Sequence, residues 1–397
     1  MLNPVPKSLP HPRETAAMVR LADELTTALR SMIDSSPFAG LGPIEITRTL
    51  GVDKTFSSRL MSALRAEDPL VALSLLPGVV PLRQFVNAAR KQGARARAVQ
   101  SAEHKLREFD HELQRAFGTR TRLDAVIADT LPEARRRHEE SARQAVYRGM
   151  TMIKGISLDL NSITWVVHPS AHNPRRVDIL VLAAFVGIHR LRPTAHFRVG
   201  ANHARMRSSE DAKLLRQFCR PPDLSISVSS EKDYTFYEVS TGSVRRDAGA
   251  DVFLSELLSD AAPRKDPRGA NGVWHVGEVS LYPMRRLELV LLVHRDVWRG
   301  CDFSLRAYDT AGRDVVVLPA PDREFDRLSI DATILRSPAH AEALRASPVP
   351  RYSDLLRHLT TPLGWKLEES PGGSVFNKIS CEIAYPLYGS QIMLVWE

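Results

Sequence analysis

One stretch decides the fold of the N-terminal part of the chain: residues 43–64 read PIEITRTLGVDKTFSSRLMSAL. Its first half carries Ile46 and Leu50 four residues apart, which gives a short helix one apolar face. Gly51 then ends that helix, because glycine enters the left-handed conformation that a sharp turn requires. Asp53 follows in the position of an N-cap, so a second helix is expected to begin directly after it. The stretch therefore predicts two short helices joined by a tight turn.

The second of these helices, predicted for residues 54–65, has two distinct faces. Phe56, Leu60 and Leu64 recur at four-residue steps and are expected to face the core. The opposite face is polar near the start of the helix, where short hydroxyl side chains stand beside basic ones. Side chains of these types reach base edges and phosphates in the major groove of DNA. The candidate DNA-binding residues are Arg48, Lys54, Thr55, Ser57, Ser58, Arg59, Arg65, Arg90 and Lys91.

The pattern LGVDKTxxSRLxxxL, at residues 50–64, is similar to the DNA-reading helices of bacterial MarR-like and IclR-like transcriptional regulators. The resemblance implies a winged-helix-like, sequence-specific DNA-binding unit whose second helix enters the major groove with its N-terminal end. Thr47 and Ser57 depart from the pattern, since these positions usually hold alanine and a branched apolar residue. The chain after Arg65 departs further, because it continues as helix where a winged member has a β-hairpin. A minor-groove contact from a wing is therefore not expected.

Arg59 is the first candidate in this set for a contact with a base or a phosphate. Its replacement by alanine is expected to weaken DNA binding by about 1–3 kcal/mol and to leave the fold intact. A single small helix-turn-helix rarely binds DNA tightly enough alone. A homodimer that reads two half-sites is therefore expected.

Length and composition divide the chain into several parts. At 397 residues it exceeds what one core usually holds. The predicted fold class is a multidomain protein of α and α+β parts. These parts are a Pro-rich flexible tail at residues 1–13, an all-helical helix-turn-helix domain at 14–97, a charged helical arm at 98–154, and an α+β or mainly-β domain at 155–397. The arm either connects the domains or pairs with a second copy of itself.

Alternating or continuous apolar runs beyond residue 155 predict strands. Examples are Ser162–Val167, Val177–Val186, Leu287–Val293 and Val375–Tyr385. Helices are expected between the strands at Asp211–Phe218, Asp251–Leu258, Ala339–Ala346 and Ser353–Leu359. This mixture favours a domain that senses a small-molecule effector or builds the oligomer.

A different class of function stays open for the C-terminal domain. It is alternatively an enzyme or effector, with the N-terminal unit acting as a targeting or protein-docking module. A sensor needs an enclosed pocket with few polar groups, whereas an enzyme needs clustered titratable groups with shifted pKa values. A third alternative is a purely structural domain that multimerises the DNA-binding units.

The sequence contains no motif that indicates catalysis or metal binding. Cys219, Cys301 and Cys381 lie far apart and share no CxxC spacing, so neither a disulfide framework nor a zinc knuckle is expected. His168 and His172 are four residues apart, but the proline between them argues against a helical metal site. A nucleophile elbow, a phosphate-binding glycine loop and an HExxH motif are absent from the sequence. A non-enzymatic chain without metal or cofactor is therefore predicted.

Charge and hydropathy indicate where the chain works and what it binds. Most of the net charge of +8 lies in residues 1–150, and a basic stretch is what a polyphosphate partner favours. The longest apolar run, Ile179–Ile188, is far short of the ~18–20 residues that span a bilayer. The N-terminus also lacks the apolar region of a secretion signal. The sequence therefore predicts a cytoplasmic, nucleoid-associated protein that binds double-stranded DNA and no membrane.

Overall fold

Local capping contacts set several helix boundaries in the N-terminal part of the computed structural model. Pro69 occupies the first turn of its helix, and Asp68 Oδ1 accepts a hydrogen bond of 2.7 Å from the Leu70 N–H. The helices of this part are α1 (Pro12–Asp34), α2 (Pro43–Leu50), α3 (Lys54–Arg65), α4 (Pro69–Leu75), α5 (Val79–Lys91), α6 (Ala96–Ala116), α7 (Arg120–Thr130) and α8 (Pro132–Lys154).

The chain divides into an N-terminal unit, Met1–Ser141, and a C-terminal unit, Ala142–Glu397, so that α8 runs across the division. The structure describes residues 12–192, 194–202, 213–231, 234–239, 249–267, 274–300, 302–309, 325–330, 332–367 and 375–396. The tail predicted for residues 1–13 therefore lies almost wholly outside the described residues. The chain therefore has a multidomain α+β fold.

Helices α6 and α7 belong to the core of the N-terminal unit. Leu106 and Phe109 of α6 are buried in the same apolar cluster as Met18 and Leu25 of α1. Burying such side chains against a neighbouring helix stabilises the fold by roughly 1.5–3 kcal/mol each. The compact unit consequently runs past the domain boundary predicted at residue 97. The first half of the predicted arm is part of this core, because its apolar stripe covers α1.

The C-terminal unit consists mainly of strands. They are β1 (Ile156–Pro169), β2 (Arg176–Arg190), β3 (Phe197–Asn202), β4 (Lys213–Leu214), β5 (Ile226–Glu231), β6 (Tyr234–Val239), β7 (Ala250–Pro263), β8 (His275–Val279), β9 (Met284–His294), β10 (Phe303–Asp309), β11 (Arg327–Leu328), β12 (Leu335–Pro338), β13 (Phe376–Ala384) and β14 (Ser390–Trp396). Two helices, α9 (Ala341–Arg345) and α10 (Tyr352–Thr360), follow β12. α9 lies within the predicted helix Ala339–Ala346, and α10 exceeds the predicted helix Ser353–Leu359 by one residue at each end.

The described strands form three sheets. The largest has the order β12-β13-β9-β1-β2-β7-β4, a second has the order β11-β10-β14-β8, and the smallest has the order β3-β6-β5. In the largest sheet β1 pairs with β9 in parallel and with β2 in antiparallel orientation. The long apolar runs of these strands are buried on both faces, which explains why they read as continuous rather than alternating.

The helix predicted at Asp251–Leu258 is wrong, because this segment belongs to β7. Val252, Phe253 and Leu254 are all buried, so both faces of the strand are covered. A fully buried strand lacks the alternation that separates it from a buried helix, and pairing with β2 decides the structure. The helix predicted at Asp211–Phe218 begins outside the described residues, and its described part holds β4 and one short 3-10 turn at Arg216–Phe218.

Buried polar contacts join α10 to β1 and β1 to β9. The Tyr352 and Thr164 hydroxyl oxygens lie 2.8 Å apart, and the Ser162 hydroxyl donates a hydrogen bond of 2.7 Å to Glu288 Oε2. Burial raises the pKa of Glu288, and it raises the pKa of Tyr352 as well. Because each group has a partner, this cluster holds an element in place without leaving an unpaired charge in the core.

Among the described residues no single helix is both long and apolar enough to cross a membrane. The neighbouring helices α4 and α5, which are bent by 90° at their junction, pass that length and composition test as a pair.

Glu278 of β8 provides a titration that reports on the folding of the C-terminal unit. Burial of the carboxyl group raises its pKa from 4.5 to about 7, while a hydrogen bond from Asn161 acts in the opposite direction. The unfolded chain therefore loses this proton near pH 4.5, whereas the folded chain keeps it until about pH 7. The stabilisation from this group is complete below pH 4.5 and is lost as the pH rises to about 7.

We expect the Glu278→Gln variant to lose less stability than the wild type between pH 5 and pH 8. The difference should be on the order of 2 kcal/mol, because the amide cannot ionise. Urea unfolding of both proteins at pH 5 and pH 8 measures this difference. The titrations of all other groups cancel when the two proteins are compared. An equal loss in both proteins would show that Glu278 titrates normally.

Candidate nucleic-acid interface

The turn between α2 and α3 has the predicted local geometry. Gly51 has a φ of 65°, and its N–H donates a hydrogen bond of 3.0 Å to the Thr47 carbonyl oxygen. Asp53 Oδ1 accepts a hydrogen bond of 3.0 Å from the Phe56 N–H, and this bond holds the pKa of Asp53 below its ordinary value. No described atom lies within 4 Å of a Cβ added at Gly51, so the glycine is needed for its backbone conformation and not for space. Both helices have the expected bounds.

Ser57 lies inside the unit, so its prediction as a DNA-binding residue is wrong. Its exposed fraction is 0%, and its hydroxyl donates a hydrogen bond of 3.1 Å to the Asp53 carbonyl oxygen. Its hydroxyl oxygen also lies 2.9 Å from that of Thr47. The two residues that depart from the regulator pattern therefore contact each other across α2 and α3. The sequence does carry a sign of this burial, because Ser57 stands three residues before Leu60 on the apolar face.

The first turn of α3 presents polar side chains to the outside. Lys54, Thr55 and Ser58 are exposed, while Leu60 and Leu64 on the opposite face are buried. The helix therefore has a fixed inner face and an outer face that begins with an ammonium and two hydroxyl groups.

Two further predicted residues, Arg48 and Arg65, are exposed at the ends of α2 and α3. Within the described part of the chain, neither guanidinium has a carboxylate within ion-pair distance. Each therefore keeps its full charge and its donors for an external partner.

Arg59 is bound to the protein itself. Its Nε donates a hydrogen bond of 2.9 Å to the Leu75 carbonyl oxygen, and its second guanidinium nitrogen donates one of 3.2 Å to the Ser74 carbonyl oxygen. These carbonyls lie at the C-terminal end of α4, where backbone acceptors lack partners within the helix. The expectation that Arg59 is dispensable for the fold is therefore corrected, because its guanidinium caps α4. The residue is exposed and keeps further N–H donors, so its contact with DNA stays a prediction.

Two more arginines reach the same helix end. Arg120 donates a hydrogen bond of 2.8 Å to the Leu73 carbonyl oxygen, and Arg137 donates one of 2.9 Å to Ser74 Oγ. Partial burial lowers the pKa of Arg59, and the nearby charges of Arg120 and then Arg137 lower it further, with Asp124 acting against them. We define Arg59, Arg120 and Arg137 as the capping cluster. No sequence signal points to Arg120 and Arg137, because they lie 47 and 63 residues from their partners.

The basic segment that begins in α5 is partly neutralised. Arg90 forms an ion pair with Glu103 of α6, and Arg83 forms one of 3.1 Å with Asp110 of the same helix. Arg90 is thus engaged within the unit, whereas Lys91 is exposed. Of the nine candidates, Ser57, Arg59 and Arg90 are occupied by the protein. Five exposed candidates, Arg48, Lys54, Ser58, Arg65 and Lys91, have no such partner among the described residues. Thr55 is also exposed, and its hydroxyl donates a hydrogen bond to the Asp53 carboxylate.

No metal centre competes with this interface as a candidate site in the described part of the chain. There, no group of three or more His, Cys, Asp or Glu side chains is arranged to hold a metal ion.

Comparisons with known proteins add little to this picture. No protein-family model matches the chain, and no curated protein matches it. A solved structure from Parabacteroides distasonis, described as a "putative protease", aligns with a TM-score of 0.29 and 9% identity. The alignment covers 61% of this chain and 40% of that one. A TM-score of this size supports no argument about fold or function.

We expect Arg59→Ala to lower the free energy of unfolding by about 1 kcal/mol, because two backbone carbonyls lose a charged donor. The matched control is Arg48→Ala, which removes an exposed arginine of the neighbouring helix and should change stability by less than about 0.5 kcal/mol. Urea unfolding of both variants measures the difference. Equal stability of the two variants would contradict the capping role of Arg59.

Proposed function

We propose that the N-terminal unit binds double-stranded DNA sequence-specifically through α3, and that the chain is a transcriptional regulator of the helix-turn-helix kind. The observation that carries this proposal is the exposed first turn of α3, with Lys54, Thr55 and Ser58 on the outside. In helix-turn-helix proteins this end of the second helix enters the major groove. Hydroxyl groups and an ammonium are side chains that contact base edges and phosphates there.

The fixed orientation of α3 supports the proposal. The Gly51 turn and the Thr47–Ser57 contact hold the start of this helix against α2, and the Asp53 cap fixes its first turn. A reading helix that is already positioned loses little conformational freedom when it binds. In this proposal the Thr47–Ser57 hydroxyl contact takes the place of the apolar contact that regulators with the similar pattern have there.

The exposed basic residues around α3 supply the phosphate contacts in this proposal. Arg48 precedes the turn, Arg65 ends α3, and Lys91 ends α5. Phosphate contacts of this kind provide much of the affinity and make it depend steeply on salt. The capping cluster is left out of the proposed contact set, because each of its arginines already uses donors on α4.

A wing is not part of the proposal either. α3 is followed by a short linker and then by α4 at Pro69–Leu75, where a winged unit would have a hairpin. Binding to the major groove alone is weak for one small unit, and for this reason we propose a homodimer that reads two half-sites. In this proposal the C-terminal unit senses an effector or forms the dimer, and the protein works in the cytoplasm on the nucleoid.

Two titratable groups in the core of the C-terminal unit do not favour the enzyme alternative. Glu288 and Tyr352 have raised pKa values, but they are 7% and 3% exposed and are bonded to Ser162 and Thr164. Groups that are enclosed and partnered in this way stabilise a core. They do not reach a substrate.

The test begins with genomic DNA fragments, including the region upstream of the coding sequence, bound by the full chain at rising salt with excess competitor DNA. We expect one discrete set of fragments to remain bound after the others are released. Release of all fragments together, or no binding at all, would refute sequence-specific regulation.

Two substitutions then test the role of α3 on the retained fragment. Lys54→Ala should reduce the salt slope of binding by about one, since one phosphate contact is lost. Thr55→Val should reduce the preference for the retained fragment over unrelated DNA by roughly tenfold, because it removes a hydroxyl while keeping the shape. Fluorescence anisotropy with labelled duplexes measures both.

The matched control is Arg107→Ala, which removes an exposed charge of α6 that has no ion-pair partner among the described residues. It should leave the slope and the preference unchanged. If Arg107→Ala weakens binding as much as Lys54→Ala does, net charge rather than α3 drives the interaction and the proposed interface is wrong.

A further inference from the structure

A cavity of about 480 Å³ opens in the C-terminal unit where β9, β12 and β13 lie side by side. Its wall includes Arg295 and Arg299 from the segment after β9, and Arg336 from the edge strand β12. The described lining residues include no Asp or Glu. Cavities of roughly 300–1,000 Å³ are of the size that small-molecule ligands occupy.

Two of the three arginines are held in place by neighbouring carboxylates. Arg299 donates a hydrogen bond of 2.6 Å to Asp296 Oδ1, and Arg336 forms an ion pair with Asp302. These contacts hold the pKa of each aspartate below its ordinary value, so both remain ionised. Since a guanidinium has five N–H donors, each of these arginines keeps donors for a ligand.

Arg295 differs from the other two. Its backbone N–H donates a hydrogen bond of 2.9 Å to the Val375 carbonyl oxygen, which fixes the position of the residue. Its guanidinium makes no hydrogen bond or ion pair with any residue that the structure describes. Three guanidinium groups and the ammonium group of Lys378 therefore line or adjoin this cavity together with only two carboxylates, so that positive charge is in excess for a ligand.

The inner wall of the cavity is apolar and rigid. Val293, Ile379 and Trp298 are part of it, and each is at least 95% buried. The Trp298 Nε1–H donates a hydrogen bond of 2.9 Å to the Pro263 carbonyl oxygen, and its ring packs edge-on against Trp274 at 4.4 Å. A wall fixed in this way does not have to reorganise when a ligand binds.

We propose that this cavity binds an organic anion, a small molecule with a carboxylate or phosphate group on an apolar body. The arginine donors match an oxyanion, and the wall of Val293, Trp298 and Ile379 matches the apolar part. The site would take an effector of this chemical class. The proposal concerns ligand binding alone and stands or falls independently of DNA binding.

The test is isothermal titration of the full chain, without DNA, using 1-naphthyl phosphate as probe. Two further titrations separate the contributions, with inorganic phosphate for the anion alone and 1-naphthol for the apolar body alone. We expect the naphthyl phosphate to bind at least tenfold more tightly than either. Absence of naphthyl phosphate binding overturns the proposal, as does equal binding of 1-naphthol or of inorganic phosphate.

Arg295→Ala locates the site. Its side chain is exposed and has no partner among the described residues, so the fold should remain intact, and a thermal melt of the variant verifies this. We expect its affinity for naphthyl phosphate to fall about tenfold, because a charge-assisted contact is lost. The control is Arg148→Ala on α8, an exposed arginine outside the cavity lining, which should bind as the wild type does.

Arg336→Ala provides a second and independent measurement, since it removes the donor that the edge strand β12 contributes to the cavity. A loss of affinity in Arg295→Ala and Arg336→Ala, with none in Arg148→Ala, supports the proposed cavity. Unchanged affinity in both cavity variants would place the anion elsewhere and overturn the proposal.

Discussion

The N-terminal unit depends on the partners that it provides for the backbone groups at the ends of its short helices. α2, α3 and α4 have 8, 12 and 7 residues, and about four N–H and four C=O groups at the ends of any helix lack internal partners. In α4 these end groups make up much of the helix. Asp53 and Asp68 satisfy N–H groups at the starts of helices, while arginines reach carbonyls at the ends. Arg30, for example, donates to the Leu64 carbonyl oxygen at the end of α3.

This requirement separates the basic residues of the unit into two groups. Arg59 and Arg120 are needed to satisfy α4, and Arg90 is needed by an acidic side chain of α6. Lys54 and Arg65 make no such hydrogen bond or ion pair among the described residues, so their charges are available to a partner. An arginine in a recognition helix is therefore not by itself a DNA contact. Whether such an arginine is available for DNA depends on its hydrogen bonds within the protein. Arg59, which its residue type and position favour most as a DNA contact, is the one that caps α4.

The sequence predicted those features that rest on contacts between near neighbours. Gly51 and Asp53 act within four residues of their partners, and the bounds of α2 and α3 followed from them. The capping cluster was beyond reach, because Arg137 and Ser74 are 63 residues apart and any exposed arginine could fill that place. The helix predicted in place of β7 was wrong for another reason. A strand that is buried on both faces lacks the alternation of apolar and polar residues by which a strand is recognised in the sequence. The cavity could not be predicted from the sequence, because Arg295 and Arg336 come to line one cavity only through the pairing of β9, β13 and β12.

The two ways in which this chain holds arginines have different electrostatic consequences. A guanidinium bonded to carbonyl oxygens gives up donors but keeps its charge, whereas one paired with a carboxylate gives up much of its charge but keeps several donors. Arg59 is of the first kind, so its positive charge remains at the end of α4 although two of its donors are occupied. Such a charge attracts DNA over about a Debye length without reading its sequence. In the proposed DNA complex, a substitution at Arg59 would therefore act through stability and through this field, and neither effect depends on the base sequence. Removal of the Thr55 hydroxyl would act on the preference for one sequence over another.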